Sequence, residues 1–215
     1  MSTLRDVRSP DLPSDPHRAR DAGATPVVLL LHGYGSHEQD LAGLAPHLPA
    51  GLPWASLRAP LELPHGGSAW FAITTPGSPD PAPVAAATDA VWAWVDSELG
   101  PDARVAPVGF SQGGLMASQL LRTRPDRVAA TVVLGGFVAG GTQPGDGGLA
   151  ATRPPVFWGR GELDTVIAAH AIERTAAWLP AHSSLTARAY PGLAHGIDAA
   201  ELADVHAFLT EHVRG

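Results

Sequence analysis

The apolar positions of this chain change period repeatedly, from short unbroken runs to spaced stripes and back. Val27-Val28-Leu29-Leu30-Leu31 is wholly apolar and stops at His32-Gly33, the pattern of a strand buried on both faces. Ser36 and Gln39 offer a capping box, and Leu41, Leu44, Ala45 and Leu48 follow at helical spacing. Trp54 to Leu57 is a weaker strand, and residues 59–83, crowded with Pro and Gly, predict mostly loop. Val84, Ala87, Val91, Trp92, Val95 and Leu99 mark one face of a helix of about four turns. The alternation continues with a strand over Arg104–Gly109, a helix over Gly113–Leu121 and a strand over Ala129–Leu134. A Gly-rich connection over 135–152 leads to a strand at Val156–Trp158, a helix over Val166–Leu179 and a strand at Leu185–Tyr190. Leu202, Val205, His206, Leu209 and Val213 trace a closing helix.

Strands alternating with helices imply parallel crossovers, hence one α/β domain over residues 25–215, with a mostly parallel open sheet and helices on both faces. Residues 1–24 are rich in Pro, Asp, Arg and Ser and read as an extended or partly disordered leader, with at most a short edge strand. The longest connections, 59–83 and 135–152, are too short and too rich in Pro and Gly for a helical cap, so no large lid domain is expected. Ligands of such sheets bind beyond the carboxyl ends of the strands. Chemistry is therefore sought in the loops after Leu31, Gly109, Trp158 and Tyr190.

One of those loops carries Gly109-Phe110-Ser111-Gln112-Gly113-Gly114 between an apolar strand and a helix. Glycines two residues either side of Ser111 let the strand and helix approach, which lifts the hydroxyl to the tip of the sheet beside the helix N-terminus. A serine hydroxyl becomes a useful nucleophile only when a base takes its proton, and the base needs an acid to orient it. The chain order for such a turn is Ser, then Asp or Glu, then His. Asp164 follows the Val156–Trp158 strand and His195 follows the Leu185–Tyr190 strand, in that order and at the same sheet edge. The alternative for Asp164 is a helix cap for Val166 onward, in which case Glu162 and Asp198 are the rival acids. Two backbone donors are needed for the oxyanion: the amide of Gln112, and one from His32-Gly33-Tyr34-Gly35, assigned to Tyr34.

Together with Glu38, Asp40-Leu41, Ala69-Trp70-Phe71, Gly161 and Ile197, these residues resemble the phospholipase/carboxylesterase family of small serine α/β-hydrolases. That family includes acyl-protein thioesterases and bacterial carboxylesterases. The resemblance spans about residues 26–213 and implies the α/β-hydrolase fold, with Ser111, Asp164 and His195 as the catalytic triad. It also implies an oxyanion hole from the Tyr34 and Gln112 amides, no metal or organic cofactor, and Trp70 with Phe71 at the substrate's acyl pocket. Read without the resemblance, Trp70 is equally a covered loop aromatic.

Three departures stand out. Pro107 falls inside the nucleophile strand and removes a ladder donor, so the strand bulges or that bond is missing. Ala194 stands before His195 where relatives often carry Gly. The 135–152 connection is unlike the usual pattern.

Composition narrows the field further. The 215 residues carry a net charge of −7, with Arg supplying all 14 basic side chains. An acidic chain lacks the positive footprint that nucleic-acid binding needs. The longest apolar run is far short of the about 20 residues that span a bilayer. No exposed basic amphipathic helix is evident, so stable membrane association is not expected. With zero Cys, thiolate chemistry is excluded. Ten His invite a metal-dependent reading, but none shows ligand spacing. The expectation is a cytoplasmic serine esterase, compatible with a homodimer, cleaving small-molecule esters of short or medium acyl chains. A thioester or lysophospholipid is the rival substrate, and a non-catalytic binding scaffold the rival class.

Overall fold

Period-two alternation sends the run Val27–Leu31 to both faces of a sheet at once. Val27, Leu29 and Leu31 join one buried cluster, while Val28 and Leu30 join the other. The computed structural model describes residues 4–12 and 25–213, so the leader expectation for 1–3 and 13–24 lies outside the described residues. Strands β1 (Asp6–Arg8), β2 (Val27–Leu31) and β3 (Trp54–Leu57) lead to a two-stranded ribbon, β4 (Leu61–Glu62) with β5 (Ser68–Ala69). Strands β6 (Val105–Phe110), β7 (Thr131–Leu134), β8 (Pro155–Gly161) and β9 (Ser184–Tyr190) complete the main sheet. Its spatial order is β1-β3-β2-β6-β7-β8-β9, parallel throughout except for β1, which runs antiparallel to β3. This is the mostly parallel sheet expected from the alternation, in the α/β-hydrolase arrangement that the resemblance implies.

The helices cover both faces. On one lie α2 (Pro81–Glu98) and α3 (Gln112–Thr123), with α4 (Asp146–Thr152) and α5 (Ala169–His182). The other carries α1 (Glu38–Ala42) and α6 (Ala199–Val213). Helix α2 begins as its sequence dictates, with Asp80 accepting the Ala82 N–H and Pro81 in the first turn. Helix α3 is buried along nearly its whole length, so even Gln119 and Arg122 lie inside.

Several sequence expectations shift. The capping box at Ser36 and Gln39 does not form: His37 Nδ1 accepts the Gln39 N–H, and the Ser36 hydroxyl donates to Asp40. The helix after it is cut to five residues and followed by a 3₁₀ turn at Ala45–His47, because Pro46 has no N–H with which to continue. The 135–152 connection ends in helix α4, held by Arg122. That guanidinium grips both Asp146 carboxylate oxygens (2.9 and 2.7 Å) and the carbonyls of Ala139 and Gly141. Helix α5 starts at Ala169 rather than Val166: the backbone is extended at Ala168, its N-cap, and Val166 and Ile167 lie ahead of it in a separate turn held by the Asp164 carboxylate. On α6 the buried face includes Phe208 and Glu201, and His206 is exposed.

Pro107 is accommodated asymmetrically. On the β2 side the register runs unbroken from Val27↔Val105 to Leu31↔Gly109. The Ala129 N–H donates to Val105, and the Ser111 N–H to Leu134, so odd-numbered positions face β7. There the pairing slips by one residue, from Val105↔Val128 to Val108↔Val132. The missing N–H of Pro107 falls in that irregular stretch, and regular pairing is restored before Ser111.

Glu201 is fully buried at the start of α6, with neither carboxyl oxygen hydrogen-bonded among the described residues. It packs on Gly159 of β8, where a side chain would overlap its carboxyl group. Burial, then the charges of Asp198 and Asp204, push its pKa up to about 8. Between the carboxyl's ordinary value and 8 the folded protein holds a proton that the unfolded chain releases. Glu201 therefore stabilises fully at acidic pH and less as pH rises through 8. Glu201→Gln cannot ionise, so its melting temperature should gain on the wild type by several degrees between pH 6 and 9. Thermal unfolding of both proteins across that range checks this, and parallel curves would contradict it.

Candidate active site

Ser111 sits at the β6–α3 junction with φ 56° and ψ −114°, a conformation rarely adopted by residues with a side chain. Closeness explains it. A β-carbon on Gly109 would overlap the Gly113 carbonyl, and one on Gly113 would overlap the Leu31 carbonyl. Only glycines let the strand end and helix start touch backbone to backbone. The turn is fixed by the Ser111 N–H to Leu134 O (2.8 Å) and by Gly114 and Leu115 N–H groups donating to Ser111 O.

The His195 imidazole meets that hydroxyl. Nδ1 lies 2.8 Å from Asp164 Oδ2, and Nε2 lies 2.9 Å from Ser111 Oγ. A carboxylate can only accept, so Nδ1 carries the hydrogen and the serine hydroxyl donates to Nε2. The Asp164 side chain is 2% exposed and that of His195 18%. Burial opposes ionisation of Asp164, but hydrogen bonds from His195, Val166 and Ile167 outweigh it and hold the carboxyl below its ordinary value. Its two oxygens divide the work, Oδ1 capping the turn and Oδ2 meeting the imidazole. A helix cap and an orienting acid were alternative readings of Asp164; it contacts the imidazole, and the segment it holds with its other oxygen is a turn ahead of α5 rather than the helix itself. Of the rivals, Glu162 is exposed and Asp198 accepts the Glu201 N–H.

Gly161, one of the residues that carry the family resemblance, makes room for the loop that bears the imidazole. At Gly161 a β-carbon would overlap the Leu193 and Ala194 carbonyls, so the loop bearing His195 can cross the end of β8. At Gly135 the φ of 49° favours glycine and a β-carbon would crowd Phe110, whose ring lies tilted with its centre 4.9 Å from that of the imidazole. Ala194 does not disturb the loop, because its φ is negative and any residue fits there. The loop is tied to the Asp164 segment by Leu163 N–H to Leu193 O.

Among the described residues, neither the Tyr34 nor the Gln112 N–H has a hydrogen-bond acceptor. The Gln112 side chain is buried, accepting from the Trp70 N–H and donating to Phe71 O, both at 2.8 Å. Trp70 does not line the cavity beside Ser111. It is 2% exposed, its indole donating to His32 O (2.9 Å). Phe71 does line that cavity, a largely apolar space of about 220 Å³ with Tyr34, Ile73, Phe137 and Ile167 around it. Phe137 comes from the Gly-rich connection, whose part in the pocket the sequence left unread. His32 is buried, donating to Gly33 O and accepting the Ala59 N–H, and burial lowers its pKa. Tyr34, Ile73, Leu163 and Val166 leave an exposed apolar rim. Among the described residues no helix is long and apolar enough to cross a membrane, and no three His, Asp or Glu side chains converge as metal ligands would.

A hydroxyl, imidazole and carboxylate hydrogen-bonded in line at the carboxyl edge of this sheet define an α/β-hydrolase site able to activate a serine oxygen. The chain belongs to the phospholipase/carboxylesterase family, whose model matches residues 18–213. A probable carboxylesterase of Oryza sativa subsp. japonica is 28% identical, over 73% of this chain and 63% of its own length. A pimeloyl-[acyl-carrier protein] methyl ester esterase of Aromatoleum aromaticum is 37% identical, over 51% of this chain and 37% of its own. The chain thus spans less than two thirds of either relative. Among solved structures, the Bacillus cereus carboxylesterase superposes with TM-score 0.80 at 20% identity, covering 98% of this chain and 95% of that one. Esterase PE8 superposes with TM-score 0.75 at 25% identity, covering 98% and 100%.

Trp70→Phe removes the indole donor and leaves the His32 carbonyl buried without it. It should cost about 1–3 kcal/mol in urea unfolding while leaving chain-length preference among esters in place. A changed preference without loss of stability would instead put Trp70 in contact with substrate.

Proposed function

We propose that the protein is a serine carboxylesterase that cleaves short- to medium-chain carboxylic esters through an acyl-enzyme. The observation that carries this reading is the unbroken line from Asp164 through His195 to Ser111 Oγ at the mouth of an apolar cavity. The family and the printed names of its relatives, esterases of several kinds, support the same chemistry.

In the first half-reaction His195 Nε2 takes the Ser111 proton as Oγ bonds to the ester carbon. The carbonyl oxygen becomes an oxyanion facing the Tyr34 and Gln112 N–H groups, each worth about 3 kcal/mol to the transition state. The tetrahedral species collapses, the C–O bond to the alcohol breaks, and His195 returns the proton to the leaving alkoxide. Water then adds to the acyl carbon with His195 again as base, releasing the acid and restoring the hydroxyl. Asp164 keeps the proton on Nδ1 and stabilises the imidazolium formed in each step. The acyl chain lies against Phe71, Ile73 and Phe137, in a cavity smaller than the about 300–1,000 Å³ of drug-sized pockets. That size favours short and medium chains over long ones. Ester is preferred over thioester on the names of the relatives, and the same residues would serve either bond.

A p-nitrophenyl ester series from acetate to palmitate should show an optimum at short or medium length. Ser111→Ala should abolish it, and Asp164→Asn should lower kcat by on the order of 10⁴. A fluorophosphonate probe should label folded wild-type protein at Ser111. Folded protein that takes no label and cleaves no ester would instead be a binding scaffold.

A further inference from the structure

Beside the acyl cavity lies a second one of about 220 Å³, between the first turn of α2, the middle of α3 and the 139–143 segment. Pro79 lines both. Its chemistry differs. The second cavity is the more polar of the two: beside Pro81 and Val84 it is bordered by Ser78, Gln119, Gln143 and Arg174, which add hydrogen-bond donors to a still largely apolar lining.

Arg174 of α5 stands at the partition. Its Nε donates to Val138 O (2.8 Å) and its Nη2 to Gly77 O (2.7 Å), and its guanidinium lies 5.8 Å from the Phe137 ring. Gly77 and Phe137 belong to the acyl cavity wall. Those two bonds use two of five N–H groups, so both Nη1 hydrogens remain free among the described residues. Among those residues no carboxylate pairs with Arg174, whereas neighbouring Arg122 is neutralised by Asp146. Burial, then the charge of Arg122, lower the pKa of Arg174, the mark of a cation short of a counterion. Gln119 Oε1 accepts from Arg122, which leaves its amide hydrogens as further donors.

We propose that this second cavity seats a carboxylate at the far end of the acyl chain, so that the preferred esters are half-esters of dicarboxylic acids. The inference rests on the esterase reading above and adds its substrate class. The hydrocarbon part of the acyl chain occupies the apolar cavity, passes Pro79, and delivers its terminal anion to Arg174, with Gln119 and Gln143 close by. The planar fork of a guanidinium suits a carboxylate, and its two backbone tethers hold it in place before substrate arrives.

The test compares monomethyl esters of dicarboxylic acids, from glutaric to suberic, with methyl esters of monocarboxylic acids of equal length. The wild type should favour the carboxylate-bearing ester by about tenfold or more in kcat/KM at one chain length, and the preference should shrink with added salt. Arg174→Gln should lower the ratio of the two kcat/KM values about tenfold, and Arg174→Lys, which keeps the charge, should restore part of it. A wild-type ratio at or below one at every length overturns the inference. So does a loss in Arg174→Gln that is equal for both esters, because a mere tether of the 77 and 138 segments would act on both alike. Should Arg174→Gln not fold, competition in the wild type decides. Free dicarboxylates must then inhibit cleavage of the neutral ester more strongly than monocarboxylates of equal length, and equal inhibition counts against the proposal. Failure of the esterase reading looks different, since neither ester is cleaved and Ser111 takes no fluorophosphonate label. The inference then falls with it.

Discussion

Backbone touches backbone where β6 turns into α3, and the arrangement of the site follows from that contact. Gly113 lies against the Leu31 carbonyl and Gly109 against the Gly113 carbonyl, which leaves Ser111 no backbone conformation but a strained one. Strain of this kind costs about 1–3 kcal/mol and persists only where the surroundings over-determine it. Here they do: the Ser111 N–H is taken by β7, its carbonyl by α3, and α3 itself is buried along almost its full length. The hydroxyl is thereby aimed before any substrate arrives. Positioning of this sort saves the entropy that a mobile nucleophile would lose at the moment of reaction.

Buried polar side chains extend that order to loops distant in the chain. Gln112 follows Ser111 by one residue and clamps Trp70 and Phe71, so the helix that positions Ser111 also positions a wall of the cavity beside it. Trp70 in turn holds the His32 carbonyl, and His32 holds both Gly33 and Ala59. On the other side Arg122 fixes the 139–146 stretch, and Arg174 ties Val138 to Gly77. A hydrogen bond to a charged group is stronger than a neutral one, and a buried partner left alone is costly. Such ties keep the cavity shaped among the described residues.

The element order was legible because each strand is a short apolar run and each long helix an apolar stripe. Errors came where local pattern met a competitor. Leu44, Ala45 and Leu48 carried helical spacing, but Pro46 lacked the N–H to continue it. Val166 and Ile167 looked like the start of a helix, but they form a turn on the Asp164 carboxylate, and the chain is extended at Ala168 before the helix begins. Glycines hid helix α4, whose stability comes from Asp146 meeting Arg122 and from buried Leu149 rather than from propensity. Pro107 raised the question of a bulge, and the extra residue proved to lie on the facing strand, which a linear reading cannot locate. The wall built by Phe137 was not legible, since it depends on what a distant segment places opposite it.

The sequence by itself determined the alternation of strand and helix, the strand-to-helix turn around Ser111, and the order Ser, Asp, His along one sheet edge. Those follow from periodicity and from the special backbone freedom of glycine, which are local properties. Tertiary structure alone decided that Asp164 divides its two oxygens between a turn and His195, that Trp70 braces the site from behind, and that Arg174 faces a cavity with no acid beside it among the described residues. Each depends on distances between residues dozens of positions apart, and the burial that turns such nearness into strong hydrogen bonds exists only once the sheet is assembled.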